Sequence, residues 1–505
     1  MDVFATNFRT VDWIIVCVYI CIPVVIGIIV KKYIRQLSDF IVAGRSLKLF
    51  IAIATLTGTE LGLVTVMYNA ELGFKHGLSA FHVGIIETLC ILAIGLTGFI
   101  VYKLRQLRIM TIPEFYEMRF GRNVRIVGGI ILALGGILNM GLFLQAGARF
   151  MMGVTGYSNP AGLKLFMSVM LIMVLIYTVM GGMVSVVLND FMQFIVLSIG
   201  MLIGSAFAIS KIGWGNLFAA PSIVDSASWF NPVSEGSGFG TLYVIFMVVL
   251  TFSAGALWQS GTLRALSAKT PKIAKQLYAW SSVSYLARRV IPMLWGICAF
   301  VFVSQTPKLL SAFQGPDSLN SQFGMPIFMA KILPSGFLGL IAAGMFAAFM
   351  STHDSYLLSW SSVITQDIVA PLKKERLSDK GRLLITRICI VCIGLFLLIW
   401  GLWFEAPVSL WNYMAVTGTI YLAGAFTVVT AGLYWKKASK TGAKIALYAG
   451  LLAILGIGPW TTGENVPFYL TDKFIGVMTF LIAFLGMIIG SLLFPDKSKT
   501  EEGKK

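Results

Sequence analysis

Runs of about 20 predominantly apolar residues follow one another along the chain, separated by short polar stretches. In a bilayer the backbone must satisfy its own hydrogen bonds, which leaves helices of about 20 residues or closed barrels of short alternating strands. The runs are continuous rather than alternating, which excludes a barrel. They predict thirteen helical spans, at 11–31, 47–70, 78–102, 125–151, 161–181, 185–210, 239–264, 277–304, 334–366, 382–403, 408–435, 442–461 and 471–494. The longest gaps, 211–238 and 305–333, leave no space for a soluble domain. The pattern therefore predicts a single all-α transmembrane domain over 1–505, ending in a short cytoplasmic tail at 495–505.

Composition agrees. Of 505 residues, 57% are hydrophobic and 12% charged, about half the charge of a soluble domain. The net charge of +17 would suggest nucleic acid in a soluble chain, but the positions of Lys and Arg argue against that partner. With the N-terminus outside, the inner loops and tail collect 28 basic residues and the outer loops eight, while Arg288, Arg289 and Arg387 lie within spans. Such a bias fixes orientation: a multi-pass protein of the cell membrane with a cytoplasmic C-terminus. The first run lacks a charged leader and a small-residue cleavage site, so it is expected to remain as a helix. The six cysteines all fall in spans and are assigned to packing.

Ionisable side chains at membrane depth are costly, so each is a candidate for function. The acidic ones are Glu60, Glu87, Asp190 and Asp354. Glu60 lies in Gly58-Thr59-Glu60-Leu61-Gly62, where two glycines one turn apart either unwind the helix or form a small-residue packing face. Unwinding would expose carbonyl oxygens and two half-helix ends suited to ions. A comparable interruption, Ser253 to Gly261, marks span 239–264. Spans two to six and seven to eleven then form two five-helix sets, 47–210 and 239–435, each opening with a flawed helix. An odd number per set gives the copies opposite orientation, as an inverted repeat requires.

Span 334–366 puts Ser351, Thr352, Asp354 and Ser355 on one broad helical face. Three hydroxyls and a carboxylate suit a hard cation; the alternative is hydroxyls bonded back to the preceding turn. His353 points off this face. Asp190, with Gln193 one turn on, follows a turn at Gly181-Gly182 and reads either as a helix N-terminal acid or as part of an ion path.

Several motifs occur in order: Ser38-Asp39-Phe40 with Val42-Ala43-Gly44-Arg45; Thr111-Ile112-Pro113-Glu114 with Arg119-Phe120-Gly121; Tyr177-Thr178 with Gly181-Gly182 and Asp190-x-x-Gln193; Arg264 with Ala268-Lys269; and Ala347-Ala348-x-x-Ser351-Thr352. Over nearly its whole length the chain resembles the sodium/solute symporters, which include proline, pantothenate, sialic acid and sodium/glucose carriers. The resemblance implies a five-plus-five inverted repeat (LeuT-like) with extra helices at both ends. It also implies a sodium site from carbonyls of Gly58, Leu61 and Ala348 with hydroxyls of Ser351 and Thr352. A second cation or proton site in some members would here involve Asp190, Ser351, Asp354 and Ser355. The chain departs from the family in Asn189, where Thr is usual, and in Asn69-Ala70-Glu71, which replaces a Gly-rich segment. Glu60 matches an acid of the proline carriers, not the sugar carriers.

The expected activity is symport of a small organic solute with Na⁺, with no organic cofactor, no enzymatic chemistry and a monomer sufficient. Substrate candidates are Glu60, Glu87, Gln145, Trp258 and Gln259. Two carboxylates suggest a positively charged group such as an amine, whereas Arg149, one turn beyond Gln145, would suit a carboxylate. Proton coupling through Asp354 or Glu87 is the alternative. A passive channel would need a continuous polar pore, and a membrane-embedded sensor an output domain that the short tail does not supply.

Overall fold

The computed structural model describes residues 3–30, 41–219, 226–234, 237–315, 318–373, 377–404, 409–461 and 466–496. The Ser38-Asp39-Phe40 motif, several inner-loop basic residues (Lys31, Lys32, Arg35, Lys374, Arg376) and the tail from 497 lie outside them. The described residues are helical, joined by turns, with one isolated β-bridge between Leu47 and Ala268. The principal helices are α1 (Thr10–Val30), α2 (Leu49–Glu60), α3 (Leu63–His76), α4 (Phe81–Thr97), α5 (Ile112–Phe120), α6 (Arg122–Met140), α7 (Phe143–Thr155), α8 (Pro160–Ile212), α9 (Thr241–Leu257), α10 (Gln259–Ser267), α11 (Pro271–Ser304), α12 (Phe337–Val363), α13 (Asp379–Trp403), α14 (Leu410–Tyr434), α15 (Lys440–Gly450) and α16 (Asp472–Leu493). Ten helical stretches among the described residues are long and apolar enough to cross a membrane, and three further apolar helices are shorter.

Burial follows the rule of a membrane rather than of water. Phe337–Leu372, the least apolar of the ten, is 89% buried along its most apolar stretch, whereas Asp379–Trp403, the most apolar, is 28% buried. Lipid tails solvate Leu and Ile as well as protein does, so polar groups that need partners decide what lies inside. α12 accordingly sits at the centre, against α1, α2, α8 and α13. Large apolar side chains such as Phe50, Leu89, Leu202, Val283 and Trp403 are exposed, as a lipid-facing surface requires. Cysteines follow the same division: Cys90 and Cys298 are buried, but Cys17, Cys21 and Cys392 are exposed, so core packing does not account for all six.

Two spans are broken, as the glycine patterns predict. α2 ends at Glu60; Leu61 adopts φ −91°, ψ 61° and Gly62 is extended at φ −80°, ψ 162°, before α3 begins. The second break is a single extended residue, Trp258 (φ −65°, ψ 120°), between α9 and α10. On the side that the charge rule makes cytoplasmic, the two broken helices are tied together. Leu47 N donates to Ser267 O at 3.1 Å and Lys269 N to Leu47 O at 2.9 Å. Arg105 donates to Ala268 O at 2.6 Å and to Lys269 O at 3.2 Å.

Elsewhere the structure differs from the pattern. Spans 161–181 and 185–210 both fall within α8, a helical element of 53 residues that does not leave helix at Gly181-Gly182. Glycine weakens a helix by about 1 kcal/mol without breaking its hydrogen-bond ladder. Asp190 is thereby a mid-helix residue, and the helix N-terminal reading does not hold. α12 runs into a π turn, Ile364–Val369, and the twelfth span continues from α15 as a 3₁₀ segment, Leu451–Ile457.

Candidate functional site

The break at Leu61-Gly62 leaves the last carbonyls of α2 without helical partners, and side chains from other elements meet two of them. Thr59 O accepts from Thr352 Oγ1 of α12 at 3.2 Å. Glu60 O accepts from Arg288 Nη1 of α11 at 2.6 Å and from Thr65 Oγ1 at 3.0 Å. The approach of α12 to the break depends on glycine, because a Cβ built on Gly62 would overlap the Thr352 side chain. Gly58 plays the same part against α8: a Cβ there would come within 2.8 Å of Asp190 O. The five residues implied for sodium thus lie on the two segments that meet here. They offer only carbonyl and hydroxyl oxygens, the ligands of a hard cation. No grouping of three or more His, Cys, Asp or Glu able to hold a metal occurs among the described residues.

Beside this junction is a buried polar cluster centred on Asp190. Its Oδ2 accepts from Thr55 Oγ1 at 2.5 Å, Thr59 Oγ1 at 3.0 Å and Arg264 Nη2 at 3.0 Å, and its Oδ1 accepts from Ser351 Oγ. Arg264 Nη2 also donates to Ser355 Oγ at 2.6 Å, and Ser355 Oγ to Asp354 Oδ1 at 3.2 Å. The structure therefore brings together Asp190, Ser351, Asp354 and Ser355, the four residues implied for a second cation. It places the Arg264 guanidinium among them, fully buried and ion-paired with Asp190. Sequence reasoning used Arg264 only as a motif and a loop charge. His353 is packed, its ring 3.9 Å from that of Phe349.

A cavity opens on the other side of the break. Glu60, Glu87, Arg288 and Arg289 line it, with aromatic walls from Tyr68, Trp258, Tyr278, Tyr285, Tyr356 and Trp411. Arg288 Nη2 donates to Glu87 Oε1 at 2.5 Å and Nη1 to Glu60 Oε2 at 3.1 Å, while Arg289 Nε donates to Glu87 Oε2. Trp258 Nε1 donates to Tyr356 OH at 2.7 Å. Of the five substrate candidates, Glu60, Glu87 and Trp258 line this cavity. Gln259 is fully buried on the first turn of α10, outside the lining. Gln145 belongs elsewhere: with Arg149 and Gln322 it lines a separate cavity of about 580 Å³ toward the opposite face. Its amide closes the end of α13 by donating to Gly401 O at 2.7 Å and Phe404 O at 2.8 Å. An amide near a span end is as apt to satisfy orphan carbonyls as to bind a solute.

The two arginines of α11 are the residues that sequence reasoning missed. Their signal was present, since both are ionisable at mid-span, but the count of basic residues treated them as topology alone.

A profile of the sodium:solute symporter family matches residues 40–450. The chain belongs to that family. It is 22% identical to the sodium/glucose cotransporter of Vibrio parahaemolyticus over 96% of this chain and 88% of that one. Identity to the sodium/sialic acid symporter SiaT of Proteus mirabilis (strain HI4320) is 23%, over 97% of each. Among solved structures, a substrate-bound, outward-open Na⁺-coupled sialic acid symporter superposes with a TM-score of 0.75 at 22% identity, covering 97% of this chain and 99% of that one. Mhp1, a nucleobase-cation-symport-1 family transporter, gives 0.53 at 14% identity, covering 92% and 97%. These likenesses show the fold: this symporter has the LeuT-like helical architecture that the resemblance implies, and it is a multi-pass membrane protein.

Proposed function

We propose that the protein imports a small organic solute, such as an amino acid or carboxylate, together with Na⁺ by alternating access. Sodium sits between the α2–α3 break and α12, held by carbonyls of Gly58, Leu61 and Ala348 and hydroxyls of Ser351 and Thr352. The observation that carries this reading is the contact of Thr352 with the interrupted backbone: Oγ1 is 3.2 Å from Thr59 O, an approach that Gly62 permits because it has no Cβ. A cation there ties the two elements and so forms one wall of the cavity, which Thr59, Glu60 and Thr352 line together. Each ligand then raises the affinity for the other by the same factor. The two five-helix sets, 47–210 and 239–435, rock against one another around this site, with the N-terminus outside.

One sodium per cycle is the stoichiometry we favour. Arg264 already supplies the positive charge beside Asp190, so a second cation at Asp190, Ser351, Asp354 and Ser355 would meet a fixed like charge in a medium of low dielectric. The family membership supports sodium over protons. The reading is tested by uptake of a labelled mixture of amino acids and carboxylates into proteoliposomes. An inward Na⁺ gradient should drive accumulation and choline should not; equal uptake in both would overturn it.

A further inference from the structure

The central cavity carries a balanced set of charges whose links are unequal. Glu87 is held by both arginines. Arg289 is fixed further by Asn69 Oδ1 at 3.3 Å and by the rings of Tyr68 and Trp411, at 4.9 and 4.4 Å from its guanidinium carbon. Glu60 has a looser hold. Arg288 Nη1 reaches one of its oxygens at 3.1 Å, and the other takes, among the described residues, only the Ser260 hydroxyl at 3.4 Å. Its side chain is also the most open of the four, 13% exposed against 9% for Glu87, 4% for Arg288 and 3% for Arg289. Arg288 in turn keeps an unused donor, since its buried Nε has no acceptor among the described residues.

We infer that the solute is a zwitterion, one small molecule carrying both an ammonium and a carboxylate group, which inserts its two poles between Glu60 and Arg288. The inference rests on the symport reading only in taking this cavity as the solute's place. Charge balance carries it. Two carboxylates and two guanidiniums leave no net charge in a low-dielectric cavity. A lone carboxylate would leave the cavity net negative and a lone ammonium would leave it net positive, in each case with one charge stranded without a counter-charge. A stranded buried charge costs more than the pair it replaces returns. A zwitterion exchanges one ion pair for two: its ammonium takes Glu60, assisted by the faces of cavity aromatics such as Trp258 and Tyr278, and its carboxylate takes the Nη1 donor of Arg288 that Glu60 Oε2 gives up. The tighter pairs to Glu87 stay in place and hold the arginine during the exchange. Because such a solute has no net charge, sodium alone accounts for the charge moved per cycle.

The test is a thermal-shift titration of the purified full-length protein in Na⁺. The probes are the ω-amino acids from glycine to 5-aminopentanoate, which sample the separation of the poles, with butyrate and butylammonium as single-pole controls. Wild type should respond to the best ω-amino acid at a concentration lower by at least roughly tenfold than to either control, as one stranded charge implies. E60Q should reverse toward butyrate, and R288Q toward butylammonium. A wild type that prefers a single-pole probe overturns the inference. So do variants whose order of preference matches that of wild type. If the wild type answers to no probe, the reversals in the variants support the inference and their absence overturns it. If a variant does not fold, the wild-type ranking and the other variant decide. Repeating the series in choline separates the two readings. Charge preferences that persist without any sodium effect reject sodium coupling alone, and a sodium effect with the wrong preference rejects the zwitterion alone.

Discussion

Arg264 shows why charged residues at membrane depth must be read in pairs. It is fully buried, bonded to Asp190, Ser355 and the Ser260 carbonyl. Removing it strands Asp190 in a site that also receives three hydroxyls. Loss of one partner of a buried pair costs about 3–5 kcal/mol, so R264M should lower the melting temperature sharply. The double variant D190N/R264M should recover much of that loss, because no charge remains unpaired. Melting curves of the two variants check this; a double variant no better than the single would refute the pairing. Glu60, Glu87 and Asp190 were legible because acids within apolar runs stand out. Arg288 and Arg289 stand out in the same way, but long basic side chains can snorkel from spans to the interface, and only the packing of α11 against α3 and α4 shows that these two do not. Gln145 misled for the opposite reason: an amide is polar enough to attract notice but equally fit for capping a helix end.

At the scale of elements, glycine patterns forecast both interruptions and the helical period the hydroxyl-rich face of α12, and these features place the candidate site. The details depend on neighbours. The second break falls on Trp258, not on Gly255, whose place in α9 lies against Ile91 and Ile94. The π turn at Ile364–Val369 has no local signature; there Asp367 accepts from Thr111 Oγ1 at 2.9 Å and from Arg125 Nε at 2.8 Å, joining α12 to the α5–α6 corner. The closeness of α12 to the α2–α3 break gives a direct prediction. In G62A the added methyl group collides with Thr352, and overpacking of this kind costs about 1–3 kcal/mol. The variant should still insert and purify, yet lose most sodium-driven uptake. G58A should behave similarly through Asp190, and uptake at wild-type rates in either would show that the junction is wider than described.

For the whole molecule, the tie between Leu47 and the 267–269 segment, braced by Arg105, lies on the side that the charge rule makes cytoplasmic, while the cavity of Gln145, Arg149 and Gln322 lies toward the other. Alternating access requires that tie to open. R105A removes two donors from it, so it should shift the population toward an inward-open form. Faster thiol labelling of a cysteine placed at Ser267, with weaker sodium-driven accumulation, is the expected result. The stoichiometry belongs to this scale as well. With Arg264 in place of a second ion, uptake should rise with Na⁺ concentration with a Hill coefficient near one, about one ion per cycle; a value near two would restore the Asp190–Asp354 region as a cation site.

The central claim is that sodium bridges the broken helix and α12. It is tested most directly by titrating purified wild type, T352A and S351A/T352A with Na⁺ and following thermal stability with choline as balance. Losing one oxygen ligand to a charge is worth about 1.5–3 kcal/mol, so the half-saturating Na⁺ concentration should rise about ten- to a hundredfold in T352A and further in the double variant. A sodium response in the double variant that coincides with wild type would contradict the account.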